Sequence, residues 1–109
     1  MAHTEPDRQT VQQLTSLDPI IHAPARLALM TYLYVVDSAD YVFLMRLTDL
    51  TWGNLASHLN KLEEAGYVAI EKEFRKKKPF SMVRLTEPGR LAYRAYKAGL
   101  QDILASLPE

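Results

Sequence analysis

One predicted helix combines a buried face with an outer face suited to hydrogen bonding. Over residues 52–65, leucines recur at spacings of four and three, which places them on one side of a helix. The outer side begins without a carboxylate, so its start can approach DNA phosphates without repulsion. Amide, hydroxyl and imidazole groups hydrogen-bond to base edges in the major groove. We therefore predict that three outer side chains contact DNA bases: Asn54, Ser57 and His58.

A run of basic residues follows this helix and gives a second, independent indication of a polyanionic partner. Residues 54–84 carry seven basic and four acidic side chains, a net charge of +3, whereas the remaining 78 residues carry −3. The whole chain has 13 basic and 13 acidic residues, which excludes a basic coat over the entire surface. Gly53, in the first helical turn, would let a phosphate approach the free N–H groups there. The residues predicted to contact the DNA backbone are Thr51, Trp52, Gly53, Lys61, Lys72, Arg75, Lys76, Lys77 and Lys78.

Each of these features also has a simpler interpretation that the residues alone leave open. Polar outer faces are general in helices, and a basic turn can serve only to keep a hairpin soluble. Trp52 can anchor the helix start, or it can press against sugar and phosphate. The joint occurrence of an acid-free helix start and a basic turn favours the DNA-binding interpretation.

No set of residues points to catalysis, a metal or a cofactor. The chain has no Cys, which excludes disulfides, thiol catalysis and cysteine zinc sites. Glycine-rich phosphate-binding motifs and the HExxH zinc motif are absent from the sequence. Ser57 and His58 are adjacent on a helix and point about 100° apart, so they cannot pair as nucleophile and base. His22 is expected to bond local backbone groups. We expect a protein that is not an enzyme.

The apolar segments are too short for a membrane span, which needs about 18 residues or more. The first ten residues, MAHTEPDRQT, are polar and contain no hydrophobic signal core. We therefore expect a soluble, cytoplasmic protein with no membrane partner.

Periodicity, caps and breakers predict the elements that position these side chains. Thr51 is expected to cap the helix over 52–65, and Gly66 to end it in a Schellman turn in which Tyr67 packs on Leu62. In chain order we predict a helix over 8–21 that bends near Asp18-Pro19, a core helix over 24–37, a turn over 37–40, a short helix over 44–48, the helix over 52–65, strands over 67–74 and 80–86 around a charged turn over 75–79, and a helix over 87–107 capped by Thr86.

Three helices followed by a two-stranded wing form the plan of a winged helix-turn-helix. We predict a single domain over 1–109 of class α+β, mainly α, with a β-hairpin wing and a long C-terminal helix. Residues 1–7 are expected to be a flexible polar tail. Alternation in the hairpin predicts that the inward side chains are Val68, Ile70, Phe74, Val83 and Leu85.

The last helix carries an apolar seam with heptad spacing, which is typical of a helix–helix interface. We predict that the helices over 8–21 and 87–107 form a dimer interface. Its predicted residues are Val11, Leu14, Leu17, Tyr93, Tyr96, Leu100, Ile103 and Leu107. The alternative is that the seam packs on the chain's own first helix. A dimer would present two recognition helices about 34 Å apart, which suits a pseudo-palindromic site.

Three segments resemble one family of regulators, the MarR/ArsR-like winged-helix transcriptional regulators. They are Leu50–Leu59 (LTWGNLASHL), Leu62–Val68 (LEEAGYV) and Arg84–Arg90 (RLTEPGR), and the resemblance extends over roughly residues 20–105. It implies a homodimeric, sequence-specific DNA-binding transcription factor, with the helix over 52–65 in the major groove and the wing over 74–80 on the backbone or in the minor groove. Trp52 departs from the family pattern, in which this position is more often small or polar. The Cys and His ligands of metal-sensing ArsR members are absent.

These observations together predict a homodimeric repressor that reads a pseudo-palindromic operator. The alternative is a winged-helix module that binds another protein and no DNA. A dimer cleft between Tyr93, Tyr96 and the first helix is a candidate place for a small apolar effector, whose identity the residues do not indicate.

Overall fold

The structure is a computed structural model that describes residues 8–108, without the side chains of Arg75 and Pro79. The predicted tail over residues 1–7 lies outside the described residues. The elements are α1 (Arg8–Thr15), α2 (Pro24–Val36), β1 (Ser38–Asp40), α3 (Tyr41–Thr48), α4 (Trp52–Glu64), β2 (Val68–Arg75), β3 (Lys78–Leu85) and α5 (Glu87–Ala105). The strands form one antiparallel sheet in the order β1-β3-β2. The predicted α+β, mainly α, winged-helix class is confirmed.

Both ends of α4 are closed by hydrogen bonds within a few residues, as predicted. The Thr51 hydroxyl accepts a hydrogen bond from the Asn54 N–H at 3.1 Å. At the other end Gly66 has a φ of 83°, which a glycine adopts without strain. The N–H of Tyr67 donates to the Leu62 carbonyl at 2.9 Å, and the N–H of Gly66 donates to the Glu63 carbonyl at 2.9 Å. These two bonds define a Schellman motif, so the length of α4 is set locally.

One hydrophobic core lies between the helices and the inner face of the sheet. Its fully buried side chains are Ile21, Leu29, Met30, Leu33, Leu44, Leu55, Leu59, Leu62 and Val83. Burial of each large aliphatic side chain contributes about 1.5–3 kcal/mol. The three leucines of α4 belong to this set, so the opposite side of α4 faces outward.

The prediction of a helix over 8–21 is wrong in its second half, because α1 ends at Thr15. The segment after it forms a turn held by Asp18, whose carboxylate accepts from the Ile20 N–H at 2.9 Å and from the Tyr67 hydroxyl. This second hydrogen bond and burial raise the pKa of Tyr67 to about 12. Ile21 lies beyond the end of α1 and is a fully buried member of the core.

The segment before α4 also differs from the prediction. Residues 38–40 form strand β1 rather than part of a turn, and Ala39 pairs with Val83 of β3. The helix predicted over 44–48 begins at Tyr41, because the Asp40 carboxylate caps it by accepting from the Phe43 N–H at 2.7 Å. The sheet consequently has three strands, and the two-stranded wing is its extension.

The wing, formed by β2, β3 and their turn, has a shorter turn than predicted. Its turn consists of two residues, Lys76 and Lys77, with φ values of 50° and 65° in place of the five-residue loop over 75–79. Two positive φ values define the type I′ geometry, which matches the twist of the flanking strands. Phe74 was expected to face inward, but its side chain is 79% exposed. The strands extend beyond the core, so no described element covers it.

The last helix is capped as predicted but ends two residues early. The Thr86 hydroxyl accepts from the Gly89 N–H at 3.0 Å, and α5 ends at Ala105 rather than at residue 107. Its first turn lies against the backbone of Tyr67, to whose carbonyl the Thr86 N–H donates at 3.0 Å. A Cβ atom on Gly89 would lie 2.1 Å from that carbonyl oxygen, so only glycine fits.

We predict that Gly89→Ala lowers the free energy of unfolding by about 2 kcal/mol, because the methyl group must push two backbone segments apart. Urea denaturation followed by circular dichroism measures this change. Gly53→Ala is the matched control, since nothing lies within 4 Å of a Cβ atom at that position. Equal urea midpoints for the two variants would contradict the close contact at Gly89.

Candidate nucleic-acid interface

The outward side of α4 presents the side chains that the sequence places there. Asn54, Ser57 and Lys61 are exposed, as are Thr51, Trp52 and Gly53 at the helix start. The first turn of α4 contains no acidic residue. The N–H groups of this first turn therefore meet solvent in a positive environment, which favours an anion.

Trp52 is both anchored and exposed. Its ring centroid lies 4.2 Å from that of Tyr41, and its carbonyl oxygen accepts from the Tyr41 hydroxyl at 3.1 Å. The side chain nevertheless remains 58% exposed. The two interpretations of Trp52 are thus compatible, because one face of the indole is fixed while the other is open to solvent.

The helix start and the wing lie on the same side of the molecule. Trp52 and Ser81 line one cavity of about 180 Å³, together with Tyr41, Val42 and Phe80. Ser81 is paired with Lys72 across the hairpin, so these two side chains share a sheet face. That face is the one that carries Val68 and Val83 into the core. Lys72 therefore belongs to the side of the wing that is turned towards the helices.

The acidic residues of the wing are placed away from that side. Glu71 and Glu73 alternate with Lys72 along β2, so they occupy the opposite sheet face. On that face Glu71 accepts from the Arg84 guanidinium at 3.4 Å, an exposed ion pair. Lys76, Lys77 and Lys78 are exposed at the wing tip. The strand period thus separates the wing's acids from Lys72. Arg75 is a predicted contact of the DNA backbone, and its side chain is not among those that the structure describes.

His58 differs from the other predicted contacts because it is half-buried against a residue that no sequence pattern indicates. Its Nδ1 atom lies 3.2 Å from an Nη atom of Arg26, in the first turn of α2. Burial lowers the pKa of His58, and the charges of Arg26 and Lys61 lower it further. The imidazole is therefore neutral at pH 7. No sequence motif marks Arg26, which precedes His58 by 32 residues.

Most of the apolar seam of α5 is used within the chain. Tyr96 is 4% exposed, and its hydroxyl lies 2.6 Å from Nδ1 of His22, which we expected to bond backbone groups. Ile103 is also 4% exposed. Tyr93 stacks on Tyr34 with ring centroids 4.7 Å apart. The chain itself covers Tyr96 and Ile103, which leaves these two predicted interface residues little surface for a partner.

The remaining predicted interface residues keep part of their surface. Val11 is 48% exposed, and Leu14, Leu17, Tyr93, Leu100 and Leu107 are partly exposed. Tyr93 and Tyr96 do line a groove, of about 240 Å³, but it lies between α2 and α5 rather than beside the first helix. An effector cleft formed between two copies stays a prediction.

Residues 8–108 contain no group of three or more acidic, His or Cys side chains arranged to hold a metal ion. Within the same residues, no helix is long and apolar enough to cross a bilayer.

The chain is similar to known proteins over most of its length. An uncharacterised protein of Methanocaldococcus jannaschii is 32% identical over 77 residues, which are 71% of this chain and 84% of that protein. A transcriptional regulator homologue from Pyrococcus horikoshii superposes with a TM-score of 0.82 at 26% identity, covering 89% of this chain and 95% of that one. A protein from Enterococcus faecalis described as a MarR family regulator gives 0.68 at 26% identity, covering 96% and 94%.

The family described as "Winged helix DNA-binding domain" matches residues 25–104, which include most of α2, all of α3 and α4, the wing and nearly all of α5. The geometry around α4 agrees with that description, since an acid-free helix start and a basic wing occupy one side. The chain therefore belongs to the winged helix DNA-binding domain family and has the fold of MarR/ArsR-like transcriptional regulators.

Proposed function

We propose that the protein is a sequence-specific regulator of transcription that binds double-stranded DNA as a homodimer. The observation that carries this proposal is the cavity that Trp52, at the acid-free start of α4, shares with Ser81 of the basic wing. In the proposed complex α4 enters the major groove, and Asn54, Ser57 and His58 contact bases. The wing follows the adjacent backbone through Lys72 and the basic residues 75–78.

The start of α4 can hold a phosphate through its backbone. The space beside Gly53 is open, because no atom lies within 4 Å of a Cβ position there. Thr51 accepts from the Asn54 N–H, which leaves the proton of its own hydroxyl available to a phosphate oxygen. Trp52 flanks this site with its exposed ring, and Lys61 lies further along the outer side of the helix. These groups would fix the register of α4 in the groove without reading sequence.

We predict that replacing Lys76, Lys77 and Lys78 by Ala weakens binding to every duplex by a similar factor. The slope of log affinity against log salt should flatten by about 0.9 for each phosphate that the variant no longer neutralises. Fluorescence anisotropy with one selected duplex and one random duplex measures both quantities. Lys97→Ala, at an exposed position of α5, is the control and should leave the slope unchanged. An unchanged slope in the triple variant would remove the wing tip from the interface.

A homodimer is supported by the incomplete packing of α1. This helix has eight residues and none of them is buried, and it contacts mainly α5. So short a helix is not stable without tertiary contacts. Val11 and Leu104 remain 48% and 55% exposed. We propose that a second copy covers this surface, with contributions from Leu14, Leu17, Tyr93, Leu100 and Leu107.

The double variant Val11→Asp with Leu104→Asp should dissociate the dimer, because association would bury carboxylates that have no partners. Sedimentation velocity measures the oligomeric state, and circular dichroism checks that the variant is folded. Val35→Asp, on α2, is the control because that side chain is 77% exposed. If Val35→Asp dissociates the dimer and the double variant does not, the interface lies on α2 instead.

The proposed mode of action is repression by occupation of a promoter. Two copies of α4 about 34 Å apart would meet successive major grooves, so the operator would be pseudo-palindromic. Selection of bound oligonucleotides from a random pool tests this directly, since it yields both the sequence and its symmetry. A single half-site without a symmetric partner would contradict the dimeric arrangement.

A second candidate function is a protein-interaction module that does not bind DNA. One observation favours it: an open apolar groove of about 800 Å³ lies between α2 and α3. Val35 and Leu47 line this groove and are 77% and 48% exposed. A mobility-shift assay with the gene's own upstream region separates the two candidates, because a protein-interaction module would not shift the DNA band.

A further inference from the structure

We propose that Arg26 fixes His58 as a hydrogen-bond donor through Nε2, so that His58 favours guanine over cytosine at one operator position. The inference rests on the proposed DNA-binding function and names the base preference of that site. It concerns two residues on different helices, α2 and α4, that meet at the edge of the proposed interface.

The guanidinium of Arg26 is held from two directions. Its Nε–H donates to the carbonyl oxygen of Ile20 at 2.6 Å, and an Nη–H donates to that of Pro19 at 3.5 Å. Both carbonyls belong to the turn between α1 and α2, which Asp18 orders. The other Nη atom lies 3.2 Å from Nδ1 of His58. Arg26 is thus a positioning residue: it bridges a fixed turn to the helix that would read DNA.

The chemistry of this contact determines where the imidazole proton lies. A guanidinium has only donors and stays protonated at any physiological pH, so Nδ1 of His58 must accept. An imidazolium has no acceptor and would be repelled by Arg26 and by nearby Lys61. The pKa of His58 is lowered by burial and by these two charges, in agreement with a neutral ring. The single proton of that ring must therefore be on Nε2.

A ring with this tautomer offers the DNA a donor and no acceptor. Guanine presents two acceptors, O6 and N7, in the major groove, whereas cytosine presents the N4 amino group, a donor. His58 lies four residues after Asn54, one turn further along the outer side of α4, which is the spacing of neighbouring base contacts. A free imidazole can exchange tautomers and bond either base. Held by Arg26, His58 loses that freedom, and this restriction creates the discrimination.

The first experiment tests the tautomer in the free protein. Nitrogen-15 NMR of the histidine side chains at pH 7 should show His58 with a protonated Nε2 and an unprotonated Nδ1. Arg26→Met keeps much of the length of the side chain but removes its donors, and it should give a mixture of tautomers. A protonated Nδ1 in the wild-type protein, or no change in Arg26→Met, would overturn the contact. This measurement does not depend on DNA binding.

The second experiment tests the base preference. Affinities are measured at one salt concentration for the selected operator and for each single base-pair exchange. In the wild-type protein, guanine-to-cytosine exchange at one position per half-site should weaken binding on the order of tenfold. Arg26→Met and His58→Ala should reduce this guanine-to-cytosine affinity ratio at that position alone. Arg46→Met removes one positive charge at an exposed position and should leave the affinity ratio unchanged.

The outcomes separate the inference from the function on which it rests. If the wild-type protein binds a specific operator but Arg26→Met keeps the same preference at every position, the assigned readout is wrong. A uniform decrease of affinity in His58→Ala would place His58 on a phosphate and would also overturn it. Failure to bind any duplex would overturn the proposed function, and the readout with it, while the tautomer measurement still decides the contact.

Discussion

The burial of three leucines on one side of α4 is the constraint on which the candidate nucleic-acid interface depends. Leu55, Leu59 and Leu62 are fully buried, so α4 cannot rotate about its axis without exposing apolar surface. The Thr51 cap and the Schellman motif at Gly66 fix the residues at which α4 begins and ends. Because the rotation and the length of α4 are both fixed, the polar side chains on its other face can only point outward. A rigid helix is what a sequence-reading surface requires, because base contacts depend on distances of a few tenths of an ångström.

Strand geometry explains how a chain without net charge can present a basic surface. The period of β2 puts Glu71 and Glu73 on the sheet face opposite to Lys72, and the two-residue turn projects Lys76 and Lys77 beyond the core. Phe74 is exposed because the wing extends past the helices, so that no described element covers its side chain. This alternation separates the charges, so the sheet face that carries Lys72 holds none of the acidic side chains of β2.

The long helix α5 serves two purposes along its length. Its first half completes the core, with Gly89 against the Tyr67 backbone and Tyr96 against His22. Its second half packs on α1. No residue of α1 is buried, and Ile103 is the one buried residue in the second half of α5. A two-helix pair with so little buried surface is where a second copy gains most from association. This division explains why the heptad seam alone did not separate the side chains that are buried within the chain from those that remain exposed.

Features that depend on a few neighbouring residues could be predicted from the sequence: the caps at Thr51 and Thr86, the end of α4 at Gly66, and the buried and outward faces of α4. In each case the partners are within about one helical turn, so local chemistry decides the outcome. Strand β1 and the contact between Arg26 and His58 could not be predicted in this way. Ser38–Asp40 becomes a strand only because β3, more than forty residues later, offers it hydrogen bonds. Arg26 contacts His58 only because the core brings α2 and α4 together, and no residue pattern in the sequence indicates that the two side chains are neighbours.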